Sequence, residues 1–348
     1  MKDGVSMEEY SDPMPPLRVG LTYNLKKGMK SGPEDSEAEY DNAETVEAIQ
    51  SALEQSGCAV ELLEANEELP KKLAACSVDI VFNIAEGIQG RGREAQVPAL
   101  LNYLKIPFTG SDETTLCIAL DKAVSKRILA TYHIRTPRYR TISRESQNWK
   151  GGFSFPVIVK PNAEGSSKGI SDLAIASDSR ALRELVSKNI GLYKEDMLVE
   201  EYVSGREFTV GILGNGKETL VFPPMEIIYL KKDCYNIYSY NVKQNYKKLI
   251  RYESPAAIDD KTEAEMVGTA RKIYETLSCR DFARIDFRLS AEGKLYFIEI
   301  NPLPGLAPGY SDYPMIAQFN GMDYVTLVRG ILVSALKRYG LPFCLRQR

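Results

Sequence analysis

The stretch Arg284–Asn301 reads RIDFRLSAEGKLYFIEIN. Side chains alternate faces along a strand. Arg284, Asp286 and Arg288 therefore share one face of a first strand, and Glu299 and Asn301 one face of a second. With Glu292-Gly293 as a two-residue turn, Asp286 lies opposite Glu299 and Arg284 opposite Asn301. Two carboxylates and an amide oxygen then converge beside an arginine. Hard oxygen donors of this kind suit Mg²⁺, which takes one or two carboxylates and leaves room for substrate phosphates. The same residues also read as a cross-strand charge pair on a solvated sheet.

Working outward, Pro156–Lys160 (PVIVK) predicts a strand that delivers Lys160 to the loop Asn162–Gly169. That Gly/Ser loop offers backbone N–H groups and hydroxyls to phosphate oxygens. It lacks the GxxxxGK[ST] pattern and is not a Walker A loop. Alone, it reads equally as a surface turn. Leu198–Val210 (LVEEYVSGREFTV) predicts strands over 197–202 and 207–213, joined by a turn at Ser204-Gly205. The backbone of such a hinge can read a purine edge, and Glu207 can hold ribose hydroxyls. An edge strand with exposed charges is the plainer alternative.

The N-terminal third alternates strand and helix. Leu17–Tyr23, Ala59–Leu63 and Asp79–Ile84 are apolar strand runs. Ala43–Gln55 carries Val46, Ile49, Ala52 and Leu53 at helical spacing, with Gly57 as a stop. Val97–Leu104 is a helix with Pro98 in its first turn. This βαβ order implies a parallel sheet with ligands at its carboxyl edge, so the loop Glu86–Glu94 is a candidate binding loop. Asp121–Tyr132, Ala181–Asn189, Glu263–Leu277 and Tyr324–Tyr339 are further helices, the last packing on the first layers. Residues 231–255 are tyrosine-rich and aperiodic, an expected lid or long loop. Residues 1–16 are expected to be a loose tail and 144–152 a linker.

Composition narrows the function. The 348 residues carry 44 Lys+Arg and 47 Asp+Glu, a net charge of −3, which argues against a broad nucleic-acid face. The single histidine, His133, excludes any site needing two. The six cysteines form no CxxC pair and read as core residues of a reducing, cytoplasmic setting. No apolar run is long enough for a membrane span or a secretory signal.

Taken in order, these segments resemble the ATP-grasp superfamily and, within it, the D-alanine–D-alanine ligases. The motifs are IPFTGS at 106–111, LDK at 120–122, FPVIVKP..EGSS.G at 155–169, LVEEYVSGREFTV at 198–210, ARIDF at 283–287 and FIEINPLPG at 297–305. The resemblance implies an α/β ATP-grasp fold of three subdomains: 17–120 before the ATP-grasp unit, 121–212 as its lid and 213–348 as its C-terminal part. ATP would lie between the last two. Lys122, Lys160 and Lys243 would face phosphates, with Glu164, Ser166 and Ser167 on the loop that closes over them. Glu200, Glu201, Tyr202 and Val203 would hold adenine, and Glu207 the ribose. Asp286, Glu299 and Asn301 would hold two Mg²⁺, with Mn²⁺ as the alternative ion. Arg284 and the N–H of Gly305 would meet the oxyanion. A homodimer is also implied.

The departures lie where amino acids would be read. The family's AKY reads VKQ here, so Gln244 replaces a tyrosine that would group with Ser166 and an N-terminal glutamate. That glutamate is Glu37 or Glu39. The H-G-x-x-G-E-D-G loop reads NIAEGIQGRGREA and brings Glu86 with it. The family's serine-leucine pair reads Ser311-Asp312, and an acidic residue there would meet an amine-bearing substrate. The expected activity is ATP- and Mg²⁺-dependent peptide-bond formation through an acyl phosphate. The alternatives are the same chemistry on other amino acids, a nucleotide-binding regulator without turnover, and a phosphotransferase.

Overall fold

The computed structural model describes residues 15–28, 37–143, 152–165, 174–230, 235–342 and 345. Ser166, Ser167, Trp149 and residues 1–14 of the tail lie outside the described residues.

The chain opens with β1 (Arg18–Tyr23), α1 (Ala43–Gln55), β2 (Ala59–Glu64), α2 (Leu69–Ala75), β3 (Ile80–Asn83) and α3 (Gln96–Tyr103). β1 pairs with both β2 and β3, parallel, giving the order β2-β1-β3. α1 occupies the predicted residues because its signals agree. The Asn42 side chain accepts from Thr45 N at 3.1 Å, and Val46, Ile49 and Leu53 are buried. α2 is a helix that the reading of the sequence missed.

Next come α4 (Glu113–Leu120) and α5 (Lys122–Thr131). α5 is the charged helix expected over 121–132, and α4 ahead of it is a helix that the reading of the sequence missed. Asp121 ends α4 and caps α5 by accepting from Val124 N at 2.9 Å. Then β4 (Tyr139–Ile142), β5 (Val157–Pro161), β6 (Ile175–Ala176), α6 (Ser179–Tyr193) and β7 (Met197–Glu201) build an antiparallel sheet in the order β4-β7-β5-β6. α6 packs on it through Leu182, Val186 and Ile190.

The remainder is β8 (Gly205–Leu213), β9 (Leu220–Val221), β10 (Met225–Tyr229), α7 (Tyr240–Gln244), α8 (Tyr246–Leu249), β11 (Ile250–Glu253), α9 (Asp260–Thr276), β12 (Phe282–Ser290), β13 (Leu295–Asn301), α10 (Asp312–Phe319) and α11 (Tyr324–Tyr339). The third sheet runs β11-β10-β8-β12-β13, with β9 on β8. The turn at Ser204-Gly205 therefore joins strands of two different sheets. Residues 235–255, expected to lack regular structure, hold α7, α8 and β11. Their apolar residues are too few and too short-spaced to show a period. α9 covers the third sheet through Met266, Ala270 and Ile273. α11 shares a core with α1 and β1 through Val328, Ile331 and Leu332, as the sequence predicts.

Candidate active site

The hairpin β12–β13 pairs Asp286 with Glu299 and Arg284 with Asn301, as expected, although the turn differs. The loop is Ala291-Glu292-Gly293, closed by Gly293 N to Ser290 O at 3.0 Å, with Gly293 at φ 72°. That longer loop shifts the register near the tip. A β-bulge between Asp286 and Phe287 shifts it back, and the spare residue opposite is Ile298. Its carbonyl accepts from Lys126 Nζ at 2.7 Å.

Lysines gather at this end of the hairpin. Lys126 and Lys160 each reach Glu200, at 2.8 and 2.7 Å. Lys122, expected as a phosphate contact though most helical lysines face solvent, is buried. Its Nζ donates to Glu164 O and lies 3.6 Å from Glu299. Burial pushes the Glu299 carboxyl up, but Lys122, Lys160, Arg284 and Lys126 outweigh it and hold it at about 2. Burial lowers Lys126 to about 8, against the pull of Glu200. Asp286 is pushed up by burial and by Glu299, and held back by Arg284. Asn301 Nδ2 donates to Asp286 at 3.4 Å. Its Oδ1 has no protein donor among the described residues. Two charged or chargeable carboxylates and an amide oxygen thus form a hard, oxygen-only donor set, which fits a divalent cation.

Between the second and third sheets lies a narrow slot of about 70 Å³, lined by Ile158, Lys160, Glu200, Glu201, Val203, Glu207 and the hairpin residues. Tyr202 is not in its lining. Its ring lies under Arg288 at 5.1 Å and its hydroxyl accepts from Asn236 N at 3.1 Å. Glu207 accepts from Tyr229 OH and Arg288 Nη2, both at 2.7 Å. Lys243 lies on α7, in the slot wall, with its pKa lowered by burial.

On the other side of Lys243 is a second cavity of about 280 Å³, lined by Glu39, Asp41, Glu44, Gln244, Gly305 and Ser311 among others. Here the structure separates Glu37 from Glu39. Glu37 accepts from Lys27 N and Gly28 N in its own loop, at 2.9 and 2.8 Å. Glu39 is paired to Arg93 and accepts from Gly165 N, each at 2.5 Å. Arg93 also reaches Glu164 at 3.1 Å. Glu39, Glu86 and Glu94 carry carboxylate oxygens within 4.8 Å of one another. Burial pushes Glu94 up to about 7 and Glu86 well above the usual carboxylate range. Gln244 donates to Tyr310 OH at 3.0 Å. A Cβ at Gly305 would stand 2.8 Å from Ser311 Oγ, so a side chain there would displace that hydroxyl.

Asp312 is the residue expected to meet an amine-bearing substrate. It is 1% exposed and does not line the cavity that Ser311 lines. Oδ1 accepts from Tyr238 OH at 2.9 Å and Tyr252 OH at 3.0 Å, and Oδ2 lies 3.5 Å from Arg284 Nη1. Arg284 in turn holds Asp286 through Nε and Nη2 at 3.0 and 2.9 Å.

Comparison with known proteins follows from this geometry. The family model for the D-ala D-ala ligase C-terminus matches residues 129–333. A D-alanine–D-alanine ligase of Aquifex aeolicus is 36% identical over 307 residues, covering 86% of this chain and 97% of that one. The chain belongs to the D-alanine–D-alanine ligase family. Members are ATP-grasp ligases that form C–N bonds with ATP, and so does this chain. The uncharacterized protein y4sG of Sinorhizobium fredii is 32% identical over 306 residues, covering 84% of this chain and 88% of that one. In fold, a D-alanine–D-alanine ligase of Bacillus anthracis solved with ATP superposes at a TM-score of 0.72, with 21% identity, over 93% of this chain and 99% of that one. Several buried residues beside the candidate site escaped the reading of the sequence. Lys126 had a signal, since it follows Lys122 by four residues on one helix face. Glu94, like Arg93, sat inside the loop already marked for binding. Arg288 was placed on the right face but given no role.

Proposed function

We propose that this ligase joins two amino acids through an acyl phosphate, with Asp286, Glu299 and Asn301 holding two Mg²⁺, or Mn²⁺ in their place. The observation that carries the reading is Glu299: buried, kept charged at about 2 by four cations, and paired across the hairpin with Asp286. Such a carboxylate is ready for metal, and its lysines are ready for phosphate. Bound cations would offset phosphate charge during transfer. Lys122, Lys160 and Lys243 orient the γ-phosphate towards the carboxylate of the first substrate. Arg284 and the Gly305 N–H donate to the oxyanion as the amine of the second substrate attacks the acyl carbon and phosphate departs. Glu201 and Val203 flank the purine, and Glu207 the ribose. Ligand pockets usually hold roughly 300–1,000 Å³. The slot of about 70 Å³ is smaller than that, so ATP is admitted only once it widens.

The substrate end supports a second reading, the same chemistry on amino acids other than D-alanine. Glu39, Asp41 and Glu44 line the second cavity together with Lys26 and Lys243, a lining of both signs that suits a zwitterionic amino acid, while Gln244 stands where the resemblance implies a tyrosine. The test is ADP release with Mg²⁺-ATP over amino acids of both enantiomers, singly and in pairs, with mass spectrometry of the product. D-alanine alone giving its dipeptide supports the first reading, and another pair alone supports the second. Absence of stimulation by any pair removes both. A regulator without turnover is not favoured, because a binder has no need of the complete donor set. Among the described residues no helix is long and apolar enough to cross a membrane. The implied homodimer is checked by sedimentation.

A further inference from the structure

We propose that Asp312 is a positioning residue that keeps Arg284 in place when Asp286 is given over to metal; this rests on the ligase reading. Arg284 has two carboxylate partners. Asp286 takes Nε and Nη2, yet Asp286 also belongs to the oxygen set that fits a divalent cation. A carboxylate that turns its oxygens to a cation holds a guanidinium less firmly. Asp312 has no such second duty. Its neighbours are two tyrosine hydroxyls, Arg284, the Lys243 ammonium whose charge it favours, and the first turn of α10, where negative charge is favoured. The Nη1 contact therefore persists in the loaded enzyme, and Arg284 keeps its place as the oxyanion donor.

Burying this carboxylate is costly without partners, and removing one partner of a buried pair strands the other charge. The anchor reaches both cavities. Tyr238 lines the slot with Lys243. Ser311, the neighbour of Asp312, lines the second cavity, and its Oγ accepts from Ala307 N at 3.2 Å. One buried side chain thus sets the distance between the phosphate side, the oxyanion donor and the amino-acid side.

Asp312→Asn is the decisive variant in the full-length protein. Its Oδ1 still accepts from the tyrosines, but its amide N–H faces Arg284 Nη1, donor against donor. The expected result is a fall in kcat for amide product of about 10²–10³, a KM for ATP changed less than about twofold, and more than one ADP released per amide as acyl phosphate is lost to water. Asp312→Glu, which keeps the charge, should recover part of the coupling. Ile331→Val, a core truncation in α11, should lower stability without uncoupling. Equal kcat and one ADP per amide in Asp312→Asn would overturn the proposal. A second readout is independent of turnover. With Mg²⁺-ATP bound, ¹⁵N-arginine spectra should show hindered guanidinium rotation for one signal, assigned by its loss in Arg284→Lys. That signal should vanish in Asp312→Asn. If it persists there, the proposal is wrong. If no amino acid stimulates ADP release in the unaltered protein, the ligase reading falls, and the spectra still decide what holds Arg284.

Discussion

Two clusters of buried charge meet at the centre of this protein, and they are unbalanced in opposite directions. Around Glu299, the cations Lys122, Lys126, Lys160 and Arg284 surround Glu200, Glu299 and Asp286. Around Arg93, a single guanidinium sits among Glu39, Glu86, Glu94 and Glu164. The first holds a carboxyl down at about 2; in the second, burial raises one to about 7. They share a wall, since Glu94, Lys122, Glu299 and Asn301 line one small cavity. Burial pushes both carboxyls up, and only around Glu299 are there enough cations to outweigh it. On the proposed reading the cation-rich cluster would meet the phosphates of ATP, with the acid-rich cluster beside it.

The largest effect should come from the cation-rich cluster. Glu299→Gln removes the charge that the lysines and the metal share, and ADP release should drop to background. Residual turnover near that of the unaltered enzyme would break the contrast between the clusters. Lys160→Met should follow, with kcat lower by about 10²–10³, read in the same assay. In the acid-rich cluster the effect moves to stability. Arg93→Met strands Glu39 and Glu164 and should cost about 3–5 kcal/mol in urea unfolding.

The pH dependence should also be opposite. Glu94 titrates near 7 when folded and near 4.3 in an unfolded chain. Between those values the folded state keeps a proton that the unfolded state has lost, so its contribution falls as pH rises through that window. Glu94→Gln should therefore gain on the unaltered protein from pH 5 to 7.5 in urea midpoints. Glu299, held at about 2, contributes above its unfolded value near 4.3 and loses that contribution as pH falls towards 2. The smallest effect belongs to neither cluster. Asp323→Ala removes the cap that accepts from Thr326 N at 2.7 Å on α11, and should cost about 1 kcal/mol with turnover unchanged.

Periodic segments were legible because one local signal set each. Ala43–Gln55 and Tyr324–Tyr339 form as read, with cap, apolar stripe and stop in agreement. The facing of Asp286 and Glu299 was also legible, but the two-residue turn behind it was not, since a longer loop and a bulge offset each other. Tertiary placement was hidden. Nothing local says that β7 and β8 enter different sheets, or that Lys122 is buried. Asp312 shows the limit most clearly. Its sequence position suggested a substrate contact, and only the approach of Tyr238, Tyr252 and Arg284 from separate strands and loops makes it an internal anchor.

The bulge at Ile298 has a consequence for engineering. Register is set twice in this hairpin, once at the tip and once at the bulge, so a change in loop length has a place to be taken up before it reaches Glu299. Ala291, Glu292, Gly293 and Lys294 are all exposed. A fluorophore or affinity peptide spliced into that tip would ride on the same two strands that carry the acidic pair, outside the chemistry yet rigidly linked to it, and would report on the hairpin's motion during turnover.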